Sequence, residues 1–343
     1  MLKSMNIRNI WLVINYVCNN KCIWCYEEGQ IAKTMSRELS FEIIDFLNEL
    51  GINSLSLIGG EPTLHPNIFE IISYSKNKGI NSGLVTNGRK LSDKNFLEKL
   101  VNAGMKGVGI SIEGFNPETH DNITRVKGSY TETIKGIENC IEIKVHTVTT
   151  TTICKENVDY LENIINVLSE KGVKDIGFNI CTPSPNTKNE SCINPKEASK
   201  LIEKLYLYGK GKDVRIKSIT SLPICNIYSE VREEMLSQRL LNQFCQMYTG
   251  SGFAVDPEGK ILPCVHWPEH PIGSILEKCS VISVDKFINF WENPEELPYK
   301  LRKFLLKYPS QKCAEDTKHW GNCIGGCPLF WIYNEPEKEI KGI

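Results

Sequence analysis

Hydrophobic and polar positions follow two alternating patterns through the first half of the chain. Short runs rich in β-branched and aromatic residues predict strands, and longer stretches with apolar residues every three or four positions predict amphipathic helices. The strands fall at residues 11–16, 54–58, 82–86, 108–112, 145–152 and 176–181. Helices are predicted at residues 68–78, 95–103, 131–141 and 158–170, after an earlier one between the first two strands.

The earliest helix has recognisable ends. Ser40 can cap its N-terminus and Gly51 can end it, because a hydroxyl accepts from free backbone N–H groups and glycine tolerates the turn that follows. Its apolar face is formed by Ile43, Phe46, Leu47 and Leu50. The same arrangement recurs in the later helices.

Alternation of strands and helices predicts an α/β fold built from βα units around a parallel sheet. Six strands with crossover helices favour a full or partial (β/α)6 barrel of the TIM type over an open sheet. Residues 182–195 are polar and contain three prolines. Because this segment follows the sixth strand, we expect it over the C-terminal rim of the barrel, as a lid.

The pattern changes beyond about residue 220. Residues 252–256 and 260–264 flank a Pro-Glu-Gly turn and predict a β-hairpin, followed by short helices and cysteine-rich coil. We therefore expect a core domain over residues 1–220 and a small second domain over residues 221–343.

Composition excludes some classes of function. A net charge of −1 and a pI near 6.6 provide no basic surface for a nucleic acid or an anionic membrane. No apolar run is long enough to cross a bilayer, and residues 1–10 are too polar for a signal peptide. We expect a cytoplasmic protein, in which 14 cysteines are thiols and their clusters indicate metal or redox chemistry.

Three cysteines stand directly after the first predicted strand, on the active face of such a barrel. Cys18, Cys22 and Cys25 lie in Cys-Asn-Asn-Lys-Cys-Ile-Trp-Cys. Three thiolates can hold three irons of a cubane cluster and leave the fourth iron open for another ligand. The alternatives are a zinc knuckle, which requires a fourth ligand close by, or buried cysteines without a metal.

This spacing, with an aromatic residue before the third cysteine, resembles the radical S-adenosylmethionine (SAM) superfamily, and Trp24 occupies the aromatic position. Gly59, Gly60 and Glu61 end the second strand and resemble the family's GGE motif, whose backbone and carboxylate receive the SAM amino group. Taken alone, Gly-Gly-Glu is also a common turn sequence.

Further positions resemble SAM contacts of the family. Asn87 follows the third strand, and Ser111 and Glu113 end the fourth, where the resemblance implies a contact with the ribose. Many relatives have Asp in place of Glu113. Arg125 lies in a stretch similar to Arg-x-x-Gly-Ser and is expected to pair with the SAM carboxylate, although a surface ion pair is the alternative. Thr149 to Thr152 and Asn179 are expected to flank the adenine.

The resemblance covers residues 10–181 and implies a reaction. A 4Fe-4S cluster chelates SAM through its open iron, an external one-electron donor such as flavodoxin or ferredoxin reduces the cluster, and SAM is cleaved to methionine and a 5'-deoxyadenosyl radical. The cofactors carry this chemistry, while the protein positions them and excludes water. No residue that ends the reaction on the substrate radical can be named from the sequence.

The C-terminal cysteines resemble the SPASM/Twitch extension of this superfamily, in which they bind auxiliary 4Fe-4S clusters. Gly259 and Cys264 have the Gly-x4-Cys spacing, and Cys-Ile-Gly-Gly-Cys-Pro follows later. The pattern is incomplete, so we expect one auxiliary cluster with Cys245, Cys264 and Cys327 as ligands. The fourth position is left to Cys323, Cys313 or Cys225, or to an open iron; a structural zinc site is the alternative.

The other cysteines are interpreted as small buried or loop residues, and His266 as a loop histidine rather than an iron ligand. This set is Cys140, Cys154, Cys181, Cys192 and Cys279.

The domain pairing favours a ribosomally made peptide as substrate, modified by cross-linking, oxidation or epimerisation. Because few residues precede Cys18, we expect a separate leader-peptide-binding protein or direct recognition. The second hypothesis is oxidation of a small molecule, such as an aminocyclitol, a sugar or a tetrapyrrole side chain. The third is a non-catalytic iron-sulfur electron carrier, which has no need of a SAM site.

Overall fold

The computed structural model describes residues 7–27, 32–183, 189–243, 245–305, 323 and 325–331. Seven parallel strands alternate with helices through the first two thirds of the chain. These strands are β1 Asn9–Asn15, β2 Ser54–Gly59, β3 Asn81–Thr86, β4 Gly107–Ser111, β5 His146–Ile153, β6 Asp175–Ile180 and β7 Arg215–Ser218. The later strands are β8 Gly252–Val255, β9 Lys260–Leu262, β10 Gly273–Ser274, β11 Leu276–Glu277 and β12 Ser280–Val281.

Helices cover one face of the parallel sheet. The helices that alternate with these strands are α1 Arg37–Glu49, α2 Ile68–Asn77, α3 Lys94–Ala103, α4 Pro117–Thr124, α5 Ser129–Glu142, α6 Leu161–Glu170 and α7 Pro195–Lys210. The remaining ones are α8 Ser229–Ser237, α9 Gln246–Thr249, α10 Val284–Glu292, α11 Leu297–Leu305 and α12 Pro328–Trp331.

The sheet order among the described residues is β10-β9-β8-β1-β2-β3-β4-β5-β6-β7. This is the parallel α/β arrangement of a partial barrel, and all six predicted strands are confirmed within two residues at each end. The predicted hairpin is also confirmed, because Ala254 of β8 pairs antiparallel with Leu262 of β9. Strand β8 in addition pairs in parallel with β1, where Leu12 is opposite Val255.

The hairpin therefore continues the sheet at the outer edge of its first strand. Strand β7 extends the opposite edge beyond the six predicted strands, with Ile176 of β6 opposite Ile216. The division into domains at residue 220 stays a prediction.

Strand β1 is buried on both faces, as expected for a covered parallel strand. Leu12 and Ile14 point into the core shared with the helices. Val13 instead packs with Ile58 and Ala254 in a second cluster, which includes Tyr26 and Cys264 at its margin. The interior of the curved sheet thus lies directly beneath the first group of cysteines.

The predicted cap of α1 was wrong. Its N-cap is Ser36, whose hydroxyl accepts from the Leu39 N–H at 3.1 Å. Ser40 is buried one turn inside the helix and donates to the Ser36 carbonyl. Both serines satisfy the sequence preference for a cap, and only the packing of α1 on the sheet distinguishes them.

Part of the predicted lid, residues 184–188, lies outside the described residues. Its last predicted residue, Pro195, is the first residue of α7, where proline's fixed φ suits the start of a helix. Among the described helices, none combines the length and apolar character that crossing a bilayer demands.

Candidate active site

A cavity opens at the carboxyl ends of β1 to β4, where the sequence placed the first cysteines. Most of the residues predicted at the first site line it together; Glu61, Arg125, Asn179 and residues 149–152 do not. The predicted residues on its wall are Cys18, Cys22, Trp24, Cys25, Gly59, Gly60, Asn87, Ser111 and Glu113. Ile58 and Val85 add apolar surface, and Glu27, which sequence analysis did not select, adds a carboxylate.

The cysteine loop is held by α4, a helix that sequence analysis missed. Lys21 N–H donates to the Thr124 carbonyl at 2.9 Å, and Ile23 N–H donates to the Ile123 carbonyl at 3.0 Å. Carbonyls in the last turn of a helix have no partner within the helix, so the loop and the helix end satisfy each other. The cysteines therefore stand on a loop with a fixed path.

The three thiols lie close enough to affect one another. Burial raises the pKa of the Cys22 thiol well above its usual value, and the charges of Glu113, Cys25 and Cys18 raise the pKa further. Three thiolates in such a place repel one another unless a cation binds them. Asn20 N–H donates to Cys18 Sγ at 3.3 Å, a contact that suits a metal-bound thiolate.

The two glycines after β2 allow a close approach of backbones. A Cβ on Gly59 would lie 2.2 Å from the Asn15 carbonyl oxygen, and a Cβ on Gly60 would lie 2.6 Å from that of Val17. In turn, Gly60 N–H donates to the Asn15 carbonyl at 2.9 Å. The Gly-Gly pair thus clamps the start of the cysteine loop against β2, and its place on the cavity wall leaves backbone groups free to face a ligand.

Glu61 is fully buried beneath the cavity. Its Oε1 accepts from the Thr63 N–H at 3.0 Å and from the hydroxyls of Thr63 and Thr86, both at 2.6 Å. Its Oε2 accepts from the Asn87 N–H at 2.7 Å. The carboxylate joins the loops that follow β2 and β3. Its contact with the SAM amino group, expected from the resemblance, stays a prediction.

Asn87 and Arg89 connect the loop after β3 to the cysteine loop. Asn87 Nδ2 donates to Asn19 Oδ1 at 2.7 Å and lies 4.0 Å from Cys18 Sγ. The Arg89 guanidinium donates to the Asn19 carbonyl and to Asn20 Oδ1, and pairs with Glu132 of α5. Sequence analysis missed Arg89, because its partners on the cysteine loop, Asn19 and Asn20, are about 70 positions away.

Glu113 is buried, and its carboxylate accepts a hydrogen bond from the backbone. Its Oε2 accepts from the Thr152 N–H at 2.9 Å, and burial raises the pKa of the carboxyl to about 8. The Glu113 N–H donates to His120 Nδ1 at 3.1 Å, which fixes the turn after β4. A buried carboxyl with spare acceptor capacity suits a ligand that brings hydroxyl donors.

The structure places Arg125 outside this cavity. It ends α4 in the left-handed conformation, with φ of 55°, and borders an adjoining pocket that also contains Cys18, Cys22 and Glu27. Arg125 therefore lies beside the cysteine loop and remains a predicted partner of the SAM carboxylate. Asn179 and Thr152 border a further pocket with Trp24, on the side expected for the adenine.

A second group of thiols lies under the hairpin. Burial raises the pKa of Cys245 to about 12 and that of Cys264 to about 11. Burial also raises the pKa of Cys327 well above its usual value, with further contributions from the charges of Cys245 and Cys264. The three cysteines expected to be auxiliary ligands therefore converge.

The fourth auxiliary position differs in its surroundings. Burial raises the pKa of Cys323, and the charge of the Cys225 thiol raises it further. Gly325 N–H donates to Cys323 Sγ at 3.3 Å. Cys313 lies outside the described residues. The roles of Cys323 and Cys313 as ligands stay predictions.

Among the described side chains, no three Cys, His, Asp or Glu converge closely enough to bind a single ion. A cubane cluster does not require such a group, because each thiolate binds a different iron.

Contacts between the cysteine loop and the hairpin join the two groups. The rings of Tyr26 and His266 meet edge to face, with centroids 4.8 Å apart. Tyr16 donates to Asp256 Oδ2 at 3.3 Å, and Lys33 pairs with Glu258 in the hairpin turn. The Tyr26–His266 contact lies within two residues of the candidate ligands Cys25 and Cys264, and the other two contacts join the chain around the cysteine loop to the hairpin.

Comparison with known proteins identifies the family of the chain. Residues 12–168 match the radical SAM superfamily. Fe-coproporphyrin III synthase from Methanosarcina barkeri is 32% identical over 319 residues, which cover 87% of this chain and 77% of the relative. The chain therefore belongs to the radical SAM superfamily, whose members use a 4Fe-4S cluster and SAM.

Two other relatives show the breadth of the family. AdoMet-dependent heme synthase from Methanosarcina barkeri is 26% identical over 289 residues, covering 81% of this chain and 80% of the relative. GTP 3',8-cyclase from Petrotoga mobilis is 31% identical over 161 residues, covering 45% of this chain and 50% of the relative.

Solved structures match nearly the whole chain. Streptococcus suis SuiB bound to S-adenosylmethionine has a TM-score of 0.72 at 18% identity, covering 99% of this chain and 79% of SuiB. The enzyme anSMEcpe with bound AdoMet and the Kp18Cys peptide has a TM-score of 0.70 at 18% identity, covering 93% and 88%. At this identity the similarity establishes the fold alone.

Proposed function

We propose that this protein holds a 4Fe-4S cluster on Cys18, Cys22 and Cys25, binds SAM in the adjoining cavity, and abstracts a hydrogen atom from its substrate. The observation that carries the proposal is the convergence of these three thiols with the Gly-Gly turn and Glu113 on one cavity. Bound together, the cofactors supply one-electron cleavage of the SAM sulfonium bond and thus a hydrogen-abstracting radical.

The residues of the chain position and shield these groups. The backbone of Gly59 and Gly60 is proposed to face the SAM amino group, while Glu61 holds the loop beneath it. Glu113 is proposed to accept the ribose hydroxyls, for which its burial and free acceptor positions are suited. Ile58 and Val85 give the cavity an apolar wall that helps to exclude water.

The remaining SAM contacts are assigned from location. Arg125 is proposed to pair with the SAM carboxylate from the adjoining pocket beside Cys18 and Cys22. Asn87 and Ser111 line the cavity between the cysteine loop and Glu113, and Trp24 borders both this cavity and the pocket that contains Asn179.

A second cluster is proposed at Cys245, Cys264 and Cys327, in a C-terminal SPASM/Twitch-type domain over residues 221–343. The grouping of three partly buried thiols supports it, because thiolates in such a place need a bound cation. The fourth iron is proposed to bind Cys323, Cys313, Cys225 or an exogenous ligand. The Tyr26–His266 ring contact joins residues that lie near the two proposed sites.

The first candidate substrate is a peptide, modified by cross-linking, oxidation or epimerisation. Streptococcus suis SuiB bound to its precursor peptide SuiA has a TM-score of 0.74, covering 98% of this chain, and supports this proposal at the level of the fold. We also propose an external flavodoxin or ferredoxin as the electron donor, a separate leader-peptide-binding protein, and a cytoplasmic location.

The second candidate is oxidation of a tetrapyrrole side chain. One specific observation favours it: the relative that is 32% identical over 87% of this chain is an Fe-coproporphyrin III synthase. The two candidates differ in the shape and chemistry of the substrate, so one pair of experiments separates them.

The first experiment measures 5'-deoxyadenosine from anaerobically reconstituted protein with dithionite and SAM, alone and with each substrate class. Short peptides encoded beside the gene test the first candidate, and Fe-coproporphyrin III tests the second. Stimulation by a peptide, with a mass change in that peptide, supports the first. A shift of the porphyrin Soret band on titration, together with stimulated turnover, supports the second.

The matched variants are Cys22→Ala and Cys140→Ala. Cys140 is fully buried in α5 and belongs to neither group of thiols, so its variant controls for the loss of a buried cysteine. We expect Cys140→Ala to keep 5'-deoxyadenosine formation and Cys22→Ala to lose it. Formation that persists in Cys22→Ala would refute the assignment of the first site.

A further inference from the structure

Two cysteines outside both proposed metal sites lie in contact. Cys181 Sγ and Cys192 Sγ are 3.3 Å apart, although the residues are separated by 11 positions. Cys181 directly follows β6, and Cys192 lies in the segment before α7. Sequence analysis treated both as small buried residues, because the chain between them shows no pattern that would bring them together.

The backbone around Cys192 is held near the ends of the neighbouring strands. Lys155 N–H donates to the Ser191 carbonyl at 3.0 Å, and the Ser191 hydroxyl donates to Glu156 Oε1 at 2.6 Å. Cys181 N–H donates to the Ile153 carbonyl at 2.9 Å. Both sulfurs are thus carried by backbone that is fixed to the loop after β5, so their proximity does not depend on one flexible side chain.

The two thiols differ in character. The hydrogen bond from Cys181 lowers the pKa of Cys192, and the charge of Lys155 lowers it further against the opposing effect of burial. Cys181 is 3% exposed, while Cys192 is only partly buried. An accessible thiol with a lowered pKa beside a buried partner is the arrangement of an attacking and a resolving cysteine.

The pair lies on the rim of the barrel beside the active site. Cys181 lines a pocket with Trp24, Tyr26 and His266, residues next to candidate ligands of the two clusters. It also packs in an apolar cluster with Cys154 and Ile123, the residue of α4 that supports the cysteine loop. A covalent change at Cys181 therefore occurs on a wall shared with the proposed cofactor site.

We propose that Cys181 and Cys192 form a reversible disulfide that links the end of β6 to the segment before α7. The oxidant is a low-molecular-weight disulfide. The Cys192 thiolate attacks it and releases one small thiol, and the Cys181 thiol, losing its proton, then displaces the second small thiol. One small disulfide is reduced to two thiols, and the protein dithiol is oxidised to one disulfide.

Forming the bond requires the sulfurs to approach from 3.3 Å to about 2.05 Å. This is a movement that side-chain rotation can supply, so we expect the fold to be retained. The small thiol in excess reverses the reaction by the same exchange.

The test uses cluster-loaded protein under anaerobic conditions, with oxidised glutathione as the probe. After reaction, all free thiols are alkylated under denaturing conditions and the protein is digested with trypsin. Cleavage after Lys174, Lys188 and Lys196 gives peptides 175–188 and 189–196, each with one cysteine of the pair. We expect these peptides to be recovered joined, with a loss of two alkylated thiols per chain, and separate again after dithiothreitol.

Single variants test the order of attack. In Cys181→Ser, Cys192 should carry glutathione, because nothing resolves the mixed disulfide; in Cys192→Ser, Cys181 should stay alkylated. Cys140→Ser, at another fully buried cysteine, should leave the cross-link unchanged. Iron content should equal that of the wild type in all three variants.

Two results would overturn the proposal. One is wild-type protein in which both peptides are alkylated and unlinked after incubation with oxidised glutathione. The other is a fall in iron content in Cys181→Ser or Cys192→Ser, because it would make these thiols metal ligands. Neither result bears on the proposed activity, which depends on Cys18, Cys22 and Cys25.

Discussion

Glu61 Oε2 accepts a 2.7 Å hydrogen bond from the backbone N–H of Asn87. The two residues lie on loops that follow neighbouring strands, and the bond sets their separation directly beneath the cavity. Because its other oxygen accepts from Thr63 and Thr86, the carboxylate meets four donors without any basic partner in these contacts. Glu61 is a positioning residue in this structure, whatever it contributes to a bound ligand.

Glu61→Gln should destabilise the protein. An amide presents one NH2 group where the carboxylate had only acceptors, so at least one buried donor faces another donor. We expect the free energy of unfolding to fall by about 1–3 kcal/mol, measured by urea denaturation. Glu70→Gln is the control, because Glu70 is exposed and pairs with Arg37 at the surface, where such a change costs about 0–1 kcal/mol. Equal losses in the two variants would contradict the role of Glu61.

Gly60→Ala should disturb the cysteine loop. The added methyl group would lie 2.6 Å from the Val17 carbonyl oxygen, so β2 or the loop that begins at Cys18 must move. We expect less iron bound per chain and weaker SAM binding, measured by iron analysis and equilibrium dialysis. Gly109→Ala is the matched control on β4, because its nearest neighbour would be 3.8 Å away. Normal iron content in Gly60→Ala would show that the clamp is dispensable.

The stability of the fold should depend on pH through His120. Burial lowers the pKa of His120 to about 4, and its Nδ1 must stay unprotonated to accept from the Glu113 N–H. The unfolded chain binds the proton near pH 6.5, so the stabilisation is present above that pH and is lost as the pH falls toward 4. Between pH 7.5 and 5 we expect a loss of about 2 kcal/mol from this group.

Denaturation of the metal-free protein at several pH values measures this slope. His120→Gln should flatten it, while His146→Gln, at an exposed position that begins β5, should leave it unchanged. An unchanged slope in His120→Gln would assign the pH dependence to other groups.

Iron analysis should separate the two metal sites. Two 4Fe-4S clusters require about eight irons per chain, and Cys264→Ala should reduce this to about four. Cys323→Ala tests the fourth position, and about eight irons retained in it would leave that position to Cys313, Cys225 or an exogenous ligand. About four irons in the wild type would remove the auxiliary cluster, and about twelve would indicate a further one. A loss in Cys323→Ala equal to that in Cys264→Ala would make Cys323 the fourth ligand.

Sequence reasoning recovered the strands and the hairpin because their apolar alternation is set by burial within each segment. It missed α4 and β7, which are short and depend on tertiary context, and it named no helix over the 16 residues of α7. Helix α4 begins with a capping box between Asn116 and Thr119, but its eight residues carry little apolar periodicity. Strand β7 has four residues and forms by pairing with β6. Such elements are specified by their neighbours more than by their own pattern.

Sequence reasoning brought candidate site residues together where motifs follow strand ends. Most residues named from the resemblance line one cavity, because parallel strands bring their carboxyl ends to one edge. Interactions between distant positions were not visible in the sequence. They are the buried hydrogen bonds of the Glu61 carboxylate, the bridge from Arg89 to the cysteine loop, and the contact between Cys181 and Cys192. The position of Glu27 on the cavity wall was not visible either. Each depends on how loops fold over one another, which no local pattern encodes.

The parallel pairing of β8 with β1 has a mechanical consequence. One strand leads into the loop of Cys18, and its direct neighbour leads into the hairpin that carries Cys264. Backbone ladders keep adjacent strands about 4.8 Å apart, so the segments that lead into the two proposed metal sites are joined by peptide hydrogen bonds. Any electron path between two bound clusters would therefore start from a spacing that backbone pairing sets rather than from surface side chains.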